Sequence, residues 1–311
     1  MPIHIYLHGG VRFSSKKVSS GTIKRLKKLR IDDTISVYPS AWGSSKWWYE
    51  SQAKNITKII ETLKEDYNID ENKIFIHGVS DGASGAYYFA SHMPTPFAGF
   101  VALIGSPGQL SGKKTFGTTF VANFTNTPIL SVNTRKDPIF SASSVTSFFK
   151  QVNSIGGDIT FHLMAGKHDM NWFGKKQKEI RDFATLKVRN PYPDLLRWQV
   201  DSGGEFPRVH WLVVNNPLDI KQPSITEVKK QNNVVRLSSL NVSSVTLLIS
   251  PDHFNLEENI QVWANQSIIF DQKVVPDINV LNKWFNSDKD RSMLFAAEIT
   301  LNAPNIKRIN Q

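Results

Sequence analysis

The stretch that most constrains the fold of this chain is residues 73–85, Lys-Ile-Phe-Ile-His-Gly-Val-Ser-Asp-Gly-Ala-Ser-Gly. It opens with an apolar run bounded by glycine, which is typical of a short strand buried on both faces. Gly-x-Ser-x-Gly follows at once, and the small residues after it predict a helix. Strand, Gly-x-Ser-x-Gly and helix in immediate succession predict a sharp turn that lifts the hydroxyl of Ser80 above the edge of a sheet.

Both glycines of this pentapeptide have a physical reason to be there. A Cβ at Gly78 or Gly82 is expected to collide with the neighbouring strand or helix. The pentapeptide by itself also occurs in ordinary glycine turns. The prediction of a nucleophile elbow therefore depends on the strand before it and the helix after it.

In these residues the chain resembles the α/β-hydrolase superfamily, most closely its esterase, polyhydroxybutyrate-depolymerase-like and prolyl-oligopeptidase-like branches. The resemblance covers residues 2 to about 181 and implies an α/β fold, a mostly parallel sheet of about six strands flanked by helices. This fold normally opens with two further strands, for which the chain has no residues before Ile3–Leu7. We expect either a sequence cut short at its amino end or a minimal variant, with the strand at residues 35–38 at one edge.

The strand at Ile3–Leu7 runs into His8-Gly9-Gly10, the usual form of the oxyanion loop in this superfamily. Glycines there let backbone N–H groups approach a developing alkoxide closely. We expect the first donor to be the N–H of Gly10, or failing that of Val11, and the second to be the N–H of Asp81. His8 is expected to hold the loop through backbone contacts, and a plain glycine turn is the alternative.

Nucleophilic acyl transfer needs a hydroxyl, an imidazole to take its proton and a carboxylate to hold the imidazole. In an open parallel sheet these groups come from loops at the carboxyl ends of strands. Ser80, Asp137 and His168 meet this requirement, in the chain order that the superfamily uses. His162 lies inside a strand and Asp158 at the wrong end of it, so both are poorer candidates. A turn-forming Asp-Pro at Asp137 and a locally bonded histidine at His168 are the alternatives.

Tryptophans gather near the predicted site. Trp42, Trp47 and Trp48 lie in the loop after the strand at residues 35–38, and Trp172 follows His168 by four residues. Such rings in loops are either packed or exposed to bind a ligand, and the sequence leaves both open. If they bind substrate, their flat apolar faces suit an aromatic acyl group or a sugar.

Composition limits the chemistry further. The chain has 311 residues and no cysteine, so it has no disulfide framework, thiolate metal site or cysteine nucleophile. No histidine or acidic motif predicts a metal, and we expect no cofactor. No apolar run is long enough to span a bilayer. The compartment stays open: periplasmic or secreted if an N-terminal segment has been removed, otherwise cytoplasmic. The sequence does not indicate an oligomeric state.

Lysine and arginine number 37 against 27 aspartates and glutamates, a net charge of +10. The densest basic run, residues 24–30, has apolar positions three apart, which predicts an amphipathic helix with its lysines outward. No nucleic-acid-binding motif accompanies these residues. A solvated helix face is therefore favoured over a polyanion site, and we expect no nucleic-acid partner.

The composition changes near residue 190. Beyond it, short alternating segments separated by Asn, Ser, Asp and Pro predict a small antiparallel sandwich, interrupted by a helix at residues 278–285. We therefore divide the chain into a catalytic α/β-hydrolase domain, residues 1–190, and a β-sandwich-like accessory domain, residues 191–311. Whether the second domain binds a polymer, covers the first or only stabilises it is left open.

Together these residues and the resemblance predict a serine hydrolase that cleaves a carboxylic ester, free or attached to a polymer, through an acyl-enzyme. Esters of aromatic acids or of sugars are the expected preference. One alternative is a prolyl-oligopeptidase-like serine peptidase that uses the same residues. Another is an inactive hydrolase fold with a polymer-binding β-domain, and the intact set of Ser80, Asp137 and His168 argues against it.

Overall fold

The structure is a computed structural model that describes residues 1–12, 26–201, 204–215, 218–219, 221–222 and 224–302. The chain forms two compact units, Met1–Arg189 and Asn190–Gln311. Each unit has a hydrophobic core of its own.

A six-stranded parallel sheet forms the centre of the first unit. Its strands are β1 (Ile3–Leu7), β2 (Ile35–Val37), β3 (Ile74–Val79), β4 (Gly99–Leu103), β5 (Ile129–Thr134) and β6 (Ile159–Met164). They lie in the order β2-β1-β3-β4-β5-β6, and the predicted α/β sheet with β2 at one edge is confirmed. From β1 the chain continues to β2 at one edge of the sheet, and from β3 onward each new strand is added towards the opposite edge, so the strand order reverses between β1 and β3. Open α/β sheets bind their ligands beside such a reversal, at the carboxyl ends of the strands.

Four α-helices are described in this unit: α1 (Glu50–Asp66), α2 (Asp81–His92), α3 (Ala142–Ser154) and α4 (Phe173–Leu186). Every residue of α2 is buried, which its small side chains permit. Part of the predicted basic helix, residues 24 and 25, lies outside the described residues. The remainder contains a short 3-10 helix, Lys27–Leu29, with Leu29 buried and both lysines exposed.

The described residues of the second unit form two β-sheets and one helix. One sheet has the strand order β14-β13-β11-β10-β7 and the other β15-β12-β9-β8. The strands are β7 (Leu195–Val200), β8 (Arg208–Val209), β9 (Leu212–Val214), β10 (Ser224–Gln231), β11 (Val234–Leu240), β12 (Ser244–Ile249), β13 (Ile260–Ala264), β14 (Ser267–Gln272) and β15 (Ala297–Asn302). The helix is α5 (Ile278–Asp288), so the predicted β-rich region with one helix is confirmed.

Two details of the second unit differ from the prediction. The sheets are not purely antiparallel, because β11 and β13 pair in parallel. This arrangement is possible because β12, the strand between them in sequence, belongs to the other sheet. The last of the alternating segments, residues 293–301, forms a strand only from Ala297 onward, and this strand ends at Asn302. Leu195–Val200 is a strand that the sequence analysis did not predict.

Two histidines lie side by side in the core of the first unit. His4 on β1 and His77 on β3 are 1% and 0% exposed, with Nδ1 of His4 2.8 Å from Nε2 of His77. Burial lowers the pKa of His4 to about 4. Burial, and secondarily the charge of His4, lowers the pKa of His77 well below its usual range. Both rings are therefore neutral in the folded protein at neutral pH.

We expect this pair to make the first unit sensitive to acid. Below the ordinary histidine pKa of 6.5 the unfolded chain binds a proton that folded His4 does not bind until about pH 4. Stability is therefore complete above pH 6.5 and falls as the pH is lowered towards 4. For His4 the full effect is about 3 kcal/mol.

Thermal melts between about pH 7 and pH 5 measure this loss. His4→Gln keeps a hydrogen-bonding side chain at the position but removes the titration, so its melting temperature should fall less steeply with pH. Equal slopes for the wild type and the variant would contradict the assignment.

Candidate active site

Ser80 lies on a strained turn between β3 and α2. Its backbone dihedrals are φ 57° and ψ −121°, a region that residues with a side chain rarely adopt. The turn is held by its own backbone: the N–H donates to the carbonyl of Leu103, and the carbonyl accepts from the N–H groups of Ala83 and Ser84. The serine is thus fixed at the carboxyl end of β3, next to the amino end of α2.

Close backbone contacts explain the glycines around this turn. A Cβ at Gly78 would lie 2.0 Å from the carbonyl oxygen of Gly82, and a Cβ at Gly82 would lie 2.0 Å from that of Leu7. The prediction that neither position accepts a side chain is confirmed. Gly9 shows the same crowding, since its Cβ would lie 2.8 Å from the Cβ of Ser80. The loop after β1 therefore lies directly beside the serine.

The structure brings together the three side chains expected to act in catalysis. Oγ of Ser80 lies 2.9 Å from Nε2 of His168, and Nδ1 of His168 lies 2.8 Å from Oδ2 of Asp137. They come from the loops after β3, β5 and β6, all at the carboxyl edge of the sheet. Because a carboxylate only accepts, Nδ1 carries the proton of the neutral ring. Nε2 is then the acceptor for the serine hydroxyl.

The carboxylate of Asp137 is held from two sides. Its side chain is 0% exposed. While Oδ2 accepts from His168, Oδ1 accepts from the backbone N–H groups of Ile139 and Phe140 at 2.8 and 3.0 Å. The ring of Phe140 also packs edge-on against the imidazole, with 5.6 Å between ring centres. These contacts orient both the acid and the imidazole.

The loop after β1 is tied to its neighbours by its first residue. Nδ1 of His8 donates to the carbonyl of Gly9 at 2.8 Å, and Nε2 accepts the N–H of Ala41 at 3.1 Å. Burial lowers the pKa of His8, in agreement with this neutral tautomer. The expectation that His8 holds the loop through backbone contacts is confirmed. Gly10, the first donor candidate, has φ +73°, a conformation that favours glycine.

An ion pair joins the same loop to the helix after the serine. Nε of Arg12 lies 3.2 Å from Oδ1 of Asp81, whose side chain is 3% exposed. The guanidinium also lies 6.0 Å from the ring centre of Phe140. Arg12, in the loop after β1, thus lies against both α2 and the loop after β5. The sequence analysis missed this ion pair, since the two positions are 69 residues apart and no local pattern relates them.

Most of the tryptophans are buried. Trp47 is fully buried and donates its ring N–H to the carbonyl of His8 at 2.9 Å. Trp172 donates to the carbonyl of Asp169 and lies in the core of the unit. Trp48 is 5% exposed. For these three rings burial favours packing over contact with a substrate. Trp42 is half-buried and has surface available for a ligand.

Within the described parts of the chain, no cluster of three or more His, Asp or Glu side chains could hold a metal ion. No described helix combines the length and apolarity needed to cross a bilayer.

A family model and a known protein are similar in sequence to parts of this chain. Residues 39–183 match the family model of the phospholipases and carboxylesterases. A bifunctional acetylxylan esterase/xylanase, XynS20E, from Neocallimastix patriciarum is 25% identical over 119 residues, which are 37% of this chain. The match spans only 16% of the length of that relative.

Three solved structures are similar over 60% of this chain. A thermostable esterase has a TM-score of 0.47, 19% identity and 55% of its own chain covered. Esterase Pf2001 of Pyrococcus furiosus has a TM-score of 0.44 and 17% identity, and 83% of its own chain is covered. A ferulic acid esterase has a TM-score of 0.47 and 15% identity, with 85% of its own chain covered. The strand order and the turn at Ser80 give the first unit an α/β-hydrolase fold, and residues 39–183 are similar to phospholipases and carboxylesterases.

The contact between Gly82 and β1 makes a testable prediction. Gly82→Ala places a methyl group on the carbonyl oxygen of Leu7, so we expect it to destabilise the first unit by several kcal/mol, roughly 3 or more. Gly174→Ala is the matched control, because its Cβ would meet nothing within 4 Å inside α4. Alanine there should stabilise by about 0.5–1 kcal/mol. Urea denaturation compares the two, and equal stabilities would contradict the close approach.

Proposed function

We propose that this protein is a serine esterase whose catalytic residues are Ser80, His168 and Asp137. The observation that carries the proposal is the unbroken hydrogen-bonded line from the serine hydroxyl through the imidazole to the buried carboxylate. Its position at the carboxyl edge of an α/β sheet supports it, because loops there carry the reacting groups of such folds. The family match over residues 39–183 supports an ester as the substrate.

The reaction follows from the hydrogen bonds. His168 removes the proton of Ser80 as Oγ attacks the acyl carbon, and Asp137 stabilises the imidazolium that forms. The same proton is then given to the leaving alcohol. A water molecule, deprotonated by His168, attacks the acyl-enzyme and releases the acid.

Backbone N–H groups stabilise the negative charge that develops on the carbonyl oxygen. We assign these donors to Gly10, with Val11 as the second choice, and to Asp81. The crowding of Gly9 against Ser80 supports this assignment, because it brings the loop after β1 to the serine. The ion pair between Arg12 and Asp81 supports it too, since it links the two donor segments.

The substrate class is proposed on coarser grounds. The similar proteins include an acetylxylan esterase and a ferulic acid esterase, which is compatible with acyl groups carried on sugars. Trp42 is the tryptophan with surface left to contact such a group. We assign residues 1–190 to catalysis and residues 191–311 to an accessory role. A panel of chromogenic acetyl, butyryl and feruloyl esters and aminoacyl amides tests ester against amide preference.

The nucleophile is tested by substitution. Ser80→Ala removes the attacking oxygen, and we expect kcat for a p-nitrophenyl ester to fall about 10⁴-fold or more. Because the residue is half-buried, the fold should persist, which circular dichroism checks. Residual activity within tenfold of the wild type would remove Ser80 as the nucleophile.

The acid is tested by a matched pair of amides. Asp137→Asn replaces the acceptor of the Nδ1 proton, so the imidazole adopts the wrong tautomer and kcat should fall roughly 10³- to 10⁴-fold. Asp158→Asn makes the same chemical change at the other end of β6, where the carboxylate is exposed and pairs with Lys187. That variant should retain activity within about threefold. Comparable losses in the two would show that Asp137 is not the acid.

A further inference from the structure

The net positive charge of this protein lies in its first unit. Residues 1–189 contain 25 lysines and arginines against 14 aspartates and glutamates, a net charge of +11. Residues 190–311 contain 12 against 13, a net charge of −1. The unit that carries Ser80 is therefore strongly basic, and charge of one sign near a site attracts ligands of the other.

Many of these cations lie at the carboxyl edge of the sheet, where Ser80 and His168 meet. The loops that leave five of the strands there carry cations at Arg12, Lys46, Lys113, Lys114, Arg135, Lys136 and Lys167. Arg12 is paired with Asp81.

Two carboxylates lie in the same loops, and both are already bonded. Asp137 accepts from His168 and from two backbone N–H groups. Asp169 accepts the N–H groups of Lys167 and Asn171 through its two oxygens. The carboxylates in these loops are therefore already engaged by other donors and do not neutralise the neighbouring lysines and arginines.

Two of the unit's cations line one depression beside the acid loop. It has a volume of about 450 Å³ and is lined by Arg135 and Lys150 with the hydroxyl-bearing residues Ser143, Thr146 and Ser147. Within the part of the chain that the structure describes, neither cation has a carboxylate partner. Arg135 is two residues from Asp137, so the depression adjoins the loop that holds the proposed acid.

Guanidinium, ammonium and hydroxyl groups together suit a carboxylate, because all of them can donate to its two oxygens. We propose that the substrate is an anionic ester, with a carboxylate that the basic edge attracts and that Arg135 and Lys150 bind. This inference rests on the proposed esterase function and names its substrate class. On this proposal the lysines and arginines at this edge attract and bind the substrate and are not simply exposed to solvent.

Three esters test the charge preference. Mono-p-nitrophenyl glutarate carries a carboxylate on the acyl side, 3-carboxyphenyl butyrate carries one on the alcohol side, and p-nitrophenyl butyrate is neutral. We expect one of the anionic esters to exceed the neutral ester in kcat/KM by about tenfold at low ionic strength, and its identity shows which side bears the charge. Raising NaCl from about 10 mM to about 0.5 M should remove most of this advantage. A neutral ester that is fastest at every salt concentration would overturn the proposal.

Paired variants locate the effect. In Arg135→Gln/Lys150→Gln the ratio of kcat/KM for the preferred anionic ester to that for the neutral ester should fall about tenfold, mainly through KM. Lys27→Gln/Lys28→Gln removes the same charge from exposed positions before β2. It should leave the ratio within about twofold. Equal falls in both variants would show a general effect of net charge and would overturn the assigned site.

The experiments distinguish a wrong esterase proposal from a wrong binding site. If no ester is hydrolysed, the function is wrong, and the depression is then tested by calorimetric titration of glutarate into the Ser80→Ala protein. Saturable binding that Arg135→Gln/Lys150→Gln abolishes supports the site without catalysis. Absence of binding to the Ser80→Ala protein overturns the site.

Discussion

The rest of the first unit depends on the close approach of α2 to the carboxyl end of β1. The backbone of Gly82 lies so near the carbonyl of Leu7 that a single methyl group does not fit between them. This contact sets the helix against the sheet, and the turn before the helix then holds Ser80 at φ 57°. A strained conformation of this kind persists only where the surrounding structure determines it. Here that structure is β3 on one side and a wholly buried helix on the other.

Contacts of different kinds then hold the loops around the serine in place. His8 ties the loop after β1 to Ala41, whose N–H donates to Nε2, while Nδ1 donates to the carbonyl of Gly9 within the loop itself. Arg12 ties the same loop to α2 by an ion pair with a buried carboxylate. Backbone N–H groups hold Asp137 in the loop after β5. Because each link involves a buried or half-buried polar group, breaking one leaves a partner that is costly to leave unsatisfied.

The histidines of the first unit lie in different electrostatic environments. His4 and His77 are neutral because burial opposes their charge, and His8 is neutral because it donates through one nitrogen and accepts through the other. His168 instead has a carboxylate on Nδ1 and a hydroxyl on Nε2. This is the pairing that the proposed proton transfer from Ser80 to His168 requires. The surrounding loops add positive charge that favours anionic ligands.

The sequence by itself determined the six-strand α/β sheet, the edge position of β2 and the crowding at Gly78 and Gly82. It also placed Ser80, Asp137 and His168 at the same edge. The individual strands and the turn follow from periodicity and from short local patterns, and the shared edge follows from the rule that parallel strands bring their carboxyl ends together. The number of strands in the sheet and the edge position of β2 were implied by the resemblance to the α/β-hydrolase superfamily. Only the tertiary structure decided that Trp47 and Trp172 are packed, that Arg12 pairs with Asp81, and that β11 pairs in parallel with β13. Each of these features depends on residues far apart in the chain, so no local pattern encodes it. Whether a tryptophan ring is buried depends on which distant residues pack against it in the folded protein.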